Sequence, residues 1–331
     1  MQNRRVTQLL PALLLAVLVG TVTARAARDV PPAAAVAGPG DFAGLVDIGG
    51  GRRLYLECRG SGSPTVVLEA GYRSPATVWS DDLVQPEMPR TMVFDGVAAF
   101  TRVCLYERPG VTSIIDGTLI PSRSDPVPMP RAVESVVADL HALLHAAHVP
   151  GPYVLAAHSF GGLLARLYAA TYPDEVVGLV LVDAWNEELE RFVTPAQWTA
   201  ILRLNAQVPP ELVGVADYET IDFGIGSAVM RRAAVAQPLR SLPLAVLART
   251  QPLGIGDADP EISDAVFEAS WWSAQEQLAT LAPRARYVAA AESAHYVQLQ
   301  QPELVTEAIR QVVAGVRHPD TWDDLVACCT P

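Results

Sequence analysis

Cysteine and positive charge are both scarce in this chain. Four cysteines in 331 residues are too few for a disulfide-built scaffold. No Cys or His spacing matches a zinc site, so no metal is expected. Basic residues number 24 against 36 acidic ones, for a formal net charge of −12. Nucleic acid is held by clustered cations, so it is not expected as a partner. Charged residues are only 18% of the chain while hydrophobic ones are 50%, the opposite of the balance that keeps a chain disordered. A chain of this length can bury a large core. Its length fits two domains or one long α/β domain.

One apolar run stands apart. Arg4 and Arg5 precede an apolar stretch at 9–22 that contains Pro11, and Ala24-Arg25-Ala26 follows. A basic start, an apolar run and a small-x-small end predict a secretory signal peptide over residues 1–26. The run is shorter than the roughly 20 apolar residues a spanning helix needs. No stable membrane span is therefore expected after cleavage, and the expected location is secreted or periplasmic. An anchor left uncleaved is the alternative. Cleavage removes Arg4, Arg5 and Arg25 and no acid, which moves the formal charge from −12 to −15. Residues 27–40, rich in Ala, Pro and Gly, read as a flexible lead-in.

From residue 41 onwards strand and helix signals alternate. Short strands at 42–48 and 53–58 flank Gly49-Gly50-Gly51 and predict a hairpin. Further strands are predicted at 65–68, 102–106, 153–157, 177–182, 244–248 and 286–290. A Pro-rich loop with Pro121, Pro126, Pro128 and Pro130 follows the fourth. Val133, Val136, Val137, Leu140, Leu143, Leu144 and Ala147 recur at helical spacing. Helices are also expected at 162–171, ending at 278–281, and at 302–314 with Pro302 in the first turn. The later strands are continuous apolar runs, as parallel strands covered on both faces are. Together these signals predict an α/β fold, a mostly parallel eight-stranded sheet wrapped by helices. Residues 186–240 break the rhythm. Thr194-Pro195-Ala196-Gln197 reads as a capping box with Pro at the first helical position, and Trp198, Ile201 and Leu202 follow at helical spacing. Two or three short helices are expected there, either a cap over a site or a plain insertion.

The stretch Ala157-His158-Ser159-Phe160-Gly161-Gly162 lies between an apolar strand and an amphipathic helix. A serine on so tight a turn has its Oγ thrust out of the sheet edge, and its neighbours must be small. Gly161 fits; Ala157 stands where the usual motif has glycine. The free N–H groups that open the helix favour negative charge. Ser159 reads as a nucleophile, with a plain helix N-cap as the alternative.

This turn, together with Leu68-Glu69-Ala70-Gly71 after the third strand, resembles the α/β-hydrolase fold superfamily, in its serine-hydrolase, esterase-like branch. The resemblance covers about residues 42–314, and residues 41–316 are expected to form one such domain, followed by a tail at 317–331. It implies a Ser–acid–His triad, an oxyanion hole, no cofactor and a small-molecule acyl substrate. The family places its base after the last strand. His295 stands there, in Glu292-Ser293-Ala294-His295-Tyr296, ahead of the Gln301-Pro302-Glu303 helix start. His158 is expected to pack beneath the nucleophile turn, and His141, His145 and His148 read as solvated or helix-end residues. The acid is open. The common position after 244–248 reads Arg249-Thr250-Gln251-Pro252, without a carboxylate. Asp183, after 177–182, is one candidate and Asp257, near Asp259, is the alternative. Oxyanion donors are expected from the N–H groups of Phe160 and Tyr72, with Gly71 allowing close backbone approach.

The family's strand order makes 53–58 and 102–106 neighbours, which brings a Cys58–Cys104 bridge into question without deciding it. The pairing of Cys328-Cys329 and the oligomeric state are unreadable. With the expected signal peptide, the resemblance implies an exported serine hydrolase that cleaves an ester or related acyl bond through an acyl-enzyme. Peptidase, lactonase or C–C hydrolase chemistry on the same fold remains open. So does a non-catalytic binding protein, which the missing carboxylate after 244–248 favours.

Overall fold

The computed structural model describes residues 40–115, 117–255 and 258–322. The expected signal peptide, nearly all of the lead-in, Asp257, Cys328 and Cys329 lie outside the described residues.

In chain order the elements are β1 (Phe42–Asp47), β2 (Arg53–Arg59), β3 (Thr65–Glu69), α1 (Val93–Ala98), β4 (Val103–Glu107), β5 (Thr112–Ile115), β6 (Thr118–Pro121), α2 (Val133–Ala146), β7 (Tyr153–His158), α3 (Gly161–Thr171), β8 (Val176–Val182), α4 (Pro195–Ala206), α5 (Phe223–Ala236), β9 (Leu244–Arg249), α6 (Asp264–Leu278), β10 (Arg286–Ala290), α7 (Val297–Gln300) and α8 (Pro302–Arg317). Eight of the strands form one sheet in the order β1-β2-β4-β3-β7-β8-β9-β10. β1 and β2 pair antiparallel, β2 pairs antiparallel with β4, and every later pairing is parallel. This is the expected α/β arrangement.

Burial explains the continuous apolar runs. Every residue of β3, β4, β7 and β9 is buried, so neither face of these strands needs polar residues. One core cluster joins α2 and α3 to one face of the sheet; a second joins α1 and α8 to the other. α8 buries Val305, Ala308, Ile309, Val312 and Val313, the stripe that a 3.6-residue period presents to a sheet.

One loop expectation is corrected. Thr112–Ile115 and Thr118–Pro121 pair as a small antiparallel ladder, β5–β6, outside the main sheet. All of β6 is exposed, so it needs no alternating apolar face. Its Pro121 sits at the strand end, where a missing N–H costs no ladder bond.

Cys58 and Cys104 face each other across the β2–β4 register and form a disulfide between positions 46 residues apart. Closing a loop of that length narrows the unfolded ensemble. Replacing both cysteines with alanine is expected to cost about 2–4 kcal/mol in urea unfolding. Reductant should weaken the wild type similarly and leave the variant unchanged. Identical unfolding midpoints for the two proteins would contradict the bridge.

The 186–240 segment is helical. It contains α4, α5 and short 3-10 turns at Glu187–Phe192 and Pro210–Leu212. The capping box is formed at both ends: Gln197 N–H donates to Thr194 Oγ1 (3.3 Å), and Thr194 N–H donates to Gln197 Oε1 (2.9 Å). All 24 basic residues of the chain are arginine, and arginines tie this segment down. Arg166 of α3 pairs with buried Glu187 at 2.5 Å. Arg203 of α4 pairs with Asp259 after β9 at 2.8 Å. Arg73, after β3, donates to the carbonyls of Gln207 (2.5 Å) and Glu219 (3.0 Å).

Candidate active site

Ser159 occupies the turn between β7 and α3 with φ +54°, a left-handed conformation that costs a non-glycine residue energy unless its surroundings impose it. They do so here. Its N–H donates to the Val182 carbonyl (3.0 Å), and its own carbonyl accepts from Gly162 (2.9 Å) and Trp185 (2.8 Å). The turn is thus sewn to the end of β8. Gly161 has no room for a side chain, since a Cβ would lie 2.5 Å from the Ala70 carbonyl oxygen.

Asp183 follows β8 with φ +40°, and its side chain is fully buried. A buried carboxylate must be met by donors. Its Oδ2 accepts from His295 Nδ1 at 2.6 Å, and its Oδ1 accepts from Trp271 Nε1 at 2.8 Å. Arg249 Nε lies 3.2 Å from Oδ2, and Arg249 also pairs with Glu268 at 2.6 Å. Where the sequence lacked a carboxylate after β9 it therefore places a cation against the Asp183 carboxylate.

His295, after β10, reaches Ser159 Oγ with Nε2 at 2.9 Å. A carboxylate only accepts, so the Nδ1 facing Asp183 carries the proton and Nε2 keeps its lone pair for the serine hydroxyl. Beneath it, burial pushes the His158 imidazole well below its ordinary range. Neutral His158 donates from Nε2 to the His295 carbonyl at 2.8 Å, which fixes the backbone that carries the base.

Ser159, Asp183 and His295, singled out from sequence, are therefore brought together from the ends of three strands. Asp259 is not among them; it accepts two bonds from Arg203, at 3.0 and 2.9 Å. Asp257 lies outside the described residues. Sequence reasoning missed Trp271 and the Arg249–Glu268 pair. A signal for Trp271 existed, since Phe267, Trp271, Ala274 and Leu278 recur at helical spacing on the buried face of α6.

The turn after β3 runs close against the nucleophile. A Cβ at Gly71 would lie 2.9 Å from His158 Nδ1 and 3.1 Å from Ser159 Cβ, so only glycine fits. Among the described residues, neither the Tyr72 nor the Phe160 N–H has a backbone acceptor, which leaves both as donors. A fully buried ion network holds this turn. Arg108 donates to the carbonyls of Ala70 (2.8 Å) and Gly71 (2.5 Å). It pairs with Glu69 and, at 2.6 Å, with Glu219 from the helical insertion. Glu219 also accepts the Arg73 N–H at 2.5 Å. Burial pushes the Glu69 carboxyl up, with Arg108 opposing it. No sequence pattern linked these three residues.

A cavity of about 60 Å³ opens beside Ser159 and His295, walled by Trp185, Ile201, Leu204, Phe267 and Trp271. A larger hollow of about 290 Å³, bounded by residues 208–220 of the insertion, includes none of the three converging side chains. Of the two, only the smaller is lined by Ser159 and His295.

The sequence matches the alpha/beta hydrolase family over residues 66–308. The chain belongs to that family. An uncharacterized protein of Schizosaccharomyces pombe is 35% identical to this chain over 149 residues, 40% of this chain and 26% of that one. An uncharacterized vacuolar membrane protein of Saccharomyces cerevisiae is 35% identical over 89 residues, 27% of this chain and 12% of that one. The chain thus spans only about a quarter or less of these relatives' length. Among solved structures, a thermophilic esterase from Thermogutta terrifontis shares the fold with a TM-score of 0.50 at 20% identity, over 83% of this chain and 98% of that one.

The expectation of a secreted or periplasmic protein is corrected. The Saccharomyces cerevisiae relative is named as a vacuolar membrane protein, which conflicts with release from the cell. The physical reason is that an arginine pair ahead of an apolar run opens both a cleaved leader and a retained membrane segment, so composition does not separate them. Among the described residues no helix is long and apolar enough to cross a membrane.

Proposed function

We propose that this hydrolase is a serine hydrolase that cleaves an ester or related acyl bond of a small molecule through an acyl-enzyme. The observation that carries this reading is the continuous chain from Ser159 Oγ to His295 Nε2 (2.9 Å) and from His295 Nδ1 to Asp183 Oδ2 (2.6 Å). Ser159 Oγ attacks the carbonyl carbon while His295 Nε2 takes its proton. Asp183 holds the imidazole in the required tautomer and stabilises the imidazolium. The N–H groups of Phe160 and Tyr72 receive the oxyanion. The tetrahedral intermediate collapses, and the leaving alcohol departs with the proton from His295. Water then repeats the sequence on the acyl-serine: His295 takes its proton, the acid is released and Ser159 is protonated again.

Residues 41–316 are read as one domain carrying the 186–240 insertion as a cap, because Ile201 and Leu204 of α4 wall the cavity. The aromatic walls and the small cavity favour short, apolar acyl groups. The binding-protein alternative rested on a missing carboxylate after β9. Asp183 against His295 favours the enzyme reading over it.

A fluorophosphonate probe is expected to label the wild-type protein and not Ser159→Ala. Turnover of p-nitrophenyl esters should fall by on the order of 10⁴ or more in that variant and should favour short acyl chains. A folded wild type that takes no label and turns over no ester would overturn the reading.

A further inference from the structure

Outside the active site, α2 carries His141 and His145 four residues apart, one turn of helix and on one face. Both Nε2 atoms reach the same oxygen. Glu175 Oε1, in the turn between α3 and β8, lies 3.1 Å from His141 Nε2 and 2.9 Å from His145 Nε2. The candidate ligand atoms all lie within 4.8 Å of one another. We propose that His141, His145 and Glu175 form a binding site for one divalent transition-metal ion of the zinc class, clamping α2 to the turn before β8.

Two imidazoles and one carboxylate are a ligand set that suits zinc, with a fourth position left for water. A carboxylate only accepts, so both Nε2 atoms carry protons in the present arrangement. One ion replaces both protons. Tetrahedral zinc bonds of 2.0–2.1 Å put neighbouring ligand atoms about 3.3–3.4 Å apart. The two His–Glu separations therefore need to open by only a few tenths of an ångström, and the two histidine nitrogens already lie within 4.8 Å of each other.

The supporting groups are already in place. The Tyr168 hydroxyl donates to the other Glu175 oxygen, Oε2, at 2.5 Å, which leaves Oε1 for the ion. The His141 ring stacks on Tyr172, with centroids 3.8 Å apart and planes 10° from parallel. Partners of this kind hold metal ligands in orientation. The His145 side chain is 56% exposed, so an ion can enter without unfolding the protein. The helical histidine spacing was visible in the sequence, where both residues read as solvated or helix-end residues. Glu175 lies 30 residues from His145, and only the packing of α2 beside the α3–β8 turn brings it there.

The test is zinc titration of tag-free full-length protein after chelator dialysis, read by calorimetry, by metal content after gel filtration and by Tm. One ion per chain and a higher Tm are expected, since a ligand bound to the folded state stabilises it. His145→Ala changes an exposed position and should fold; its affinity should fall on the order of tenfold or more. Glu175→Gln should weaken binding similarly. Ser159→Ala should bind zinc as the wild type does, which separates this site from the active site. Absence of saturable binding by the wild type overturns the proposal. So does a His145→Ala protein that binds with wild-type affinity.

Discussion

Asp183→Asn is expected to lower kcat by about 10⁴ while leaving the fold intact. The size of the effect follows from which way the amide must point. Trp271 Nε1–H donates to Asp183 Oδ1 at 2.8 Å, so an asparagine keeps its oxygen there and turns its NH₂ toward His295 Nδ1. An NH₂ donates, so Nδ1 must accept, and the ring proton moves to Nε2. Nε2 then has no lone pair for the Ser159 hydroxyl. Substrate contacts are untouched, so KM should change far less than kcat. Asp259→Asn, beside Arg203, should keep kcat within a few-fold of wild type. Steady-state kinetics on the best ester of the panel decides the matter, with urea unfolding as the check on fold. A loss below tenfold in Asp183→Asn would remove Asp183 from the triad.

Arg108→Met is expected to destabilise the protein by about 3–5 kcal/mol. Arg108, Glu69 and Glu219 are all buried. Removing the guanidinium leaves two carboxylates facing each other without a counterion, and the carbonyls of Ala70 and Gly71 lose their donor. A loss of this size is a large part of a typical total of about 5–15 kcal/mol. The comparison that isolates the charge term adds Glu69→Gln and Glu219→Gln to Arg108→Met. With no buried charge left unpaired, the triple variant should unfold at a higher urea concentration than Arg108→Met alone. If the single variant loses less than about 1 kcal/mol, or the triple variant is weaker still, the network does not hold the turn in the way described.

What the sequence made legible was mostly local. The first two sheet strands were readable from the glycine turn between them, and the later ones because covered parallel strands are continuous apolar runs. Ser159 was readable because its turn compresses its requirements into six consecutive residues, and the lack of room at Gly161 is the physical form of that pattern. His295 followed from its place after the last strand. The acid was not decidable, because Asp183 and Asp257 both follow strands and only tertiary placement shows which carboxylate meets His295 Nδ1. Arg249 hid the answer further, since a cation at the commoner acid position means nothing until its partner is seen. The Arg108 network joins residues 39 and 111 positions apart, a separation no periodicity reports. The location failed for the opposite reason. The N-terminal signal was strong and local but common to two outcomes.

The arginine ties on the helical insertion bear on how this family member can be recombined. Glu187 and Glu219 belong to the insertion, and their cations, Arg166 and Arg108, belong to the hydrolase body. A segment moved at residues 186 and 240 would bring the Glu187 and Glu219 carboxylates into the recipient without their guanidinium partners. A workable chimaera carries Arg73, Arg108, Arg166 and Asp259 along with the segment, so the sequence breakpoints are not the structural ones. Single substitutions at Ile201 and Leu204 touch the cavity wall and none of those ties. They are the shorter route to a changed acyl preference.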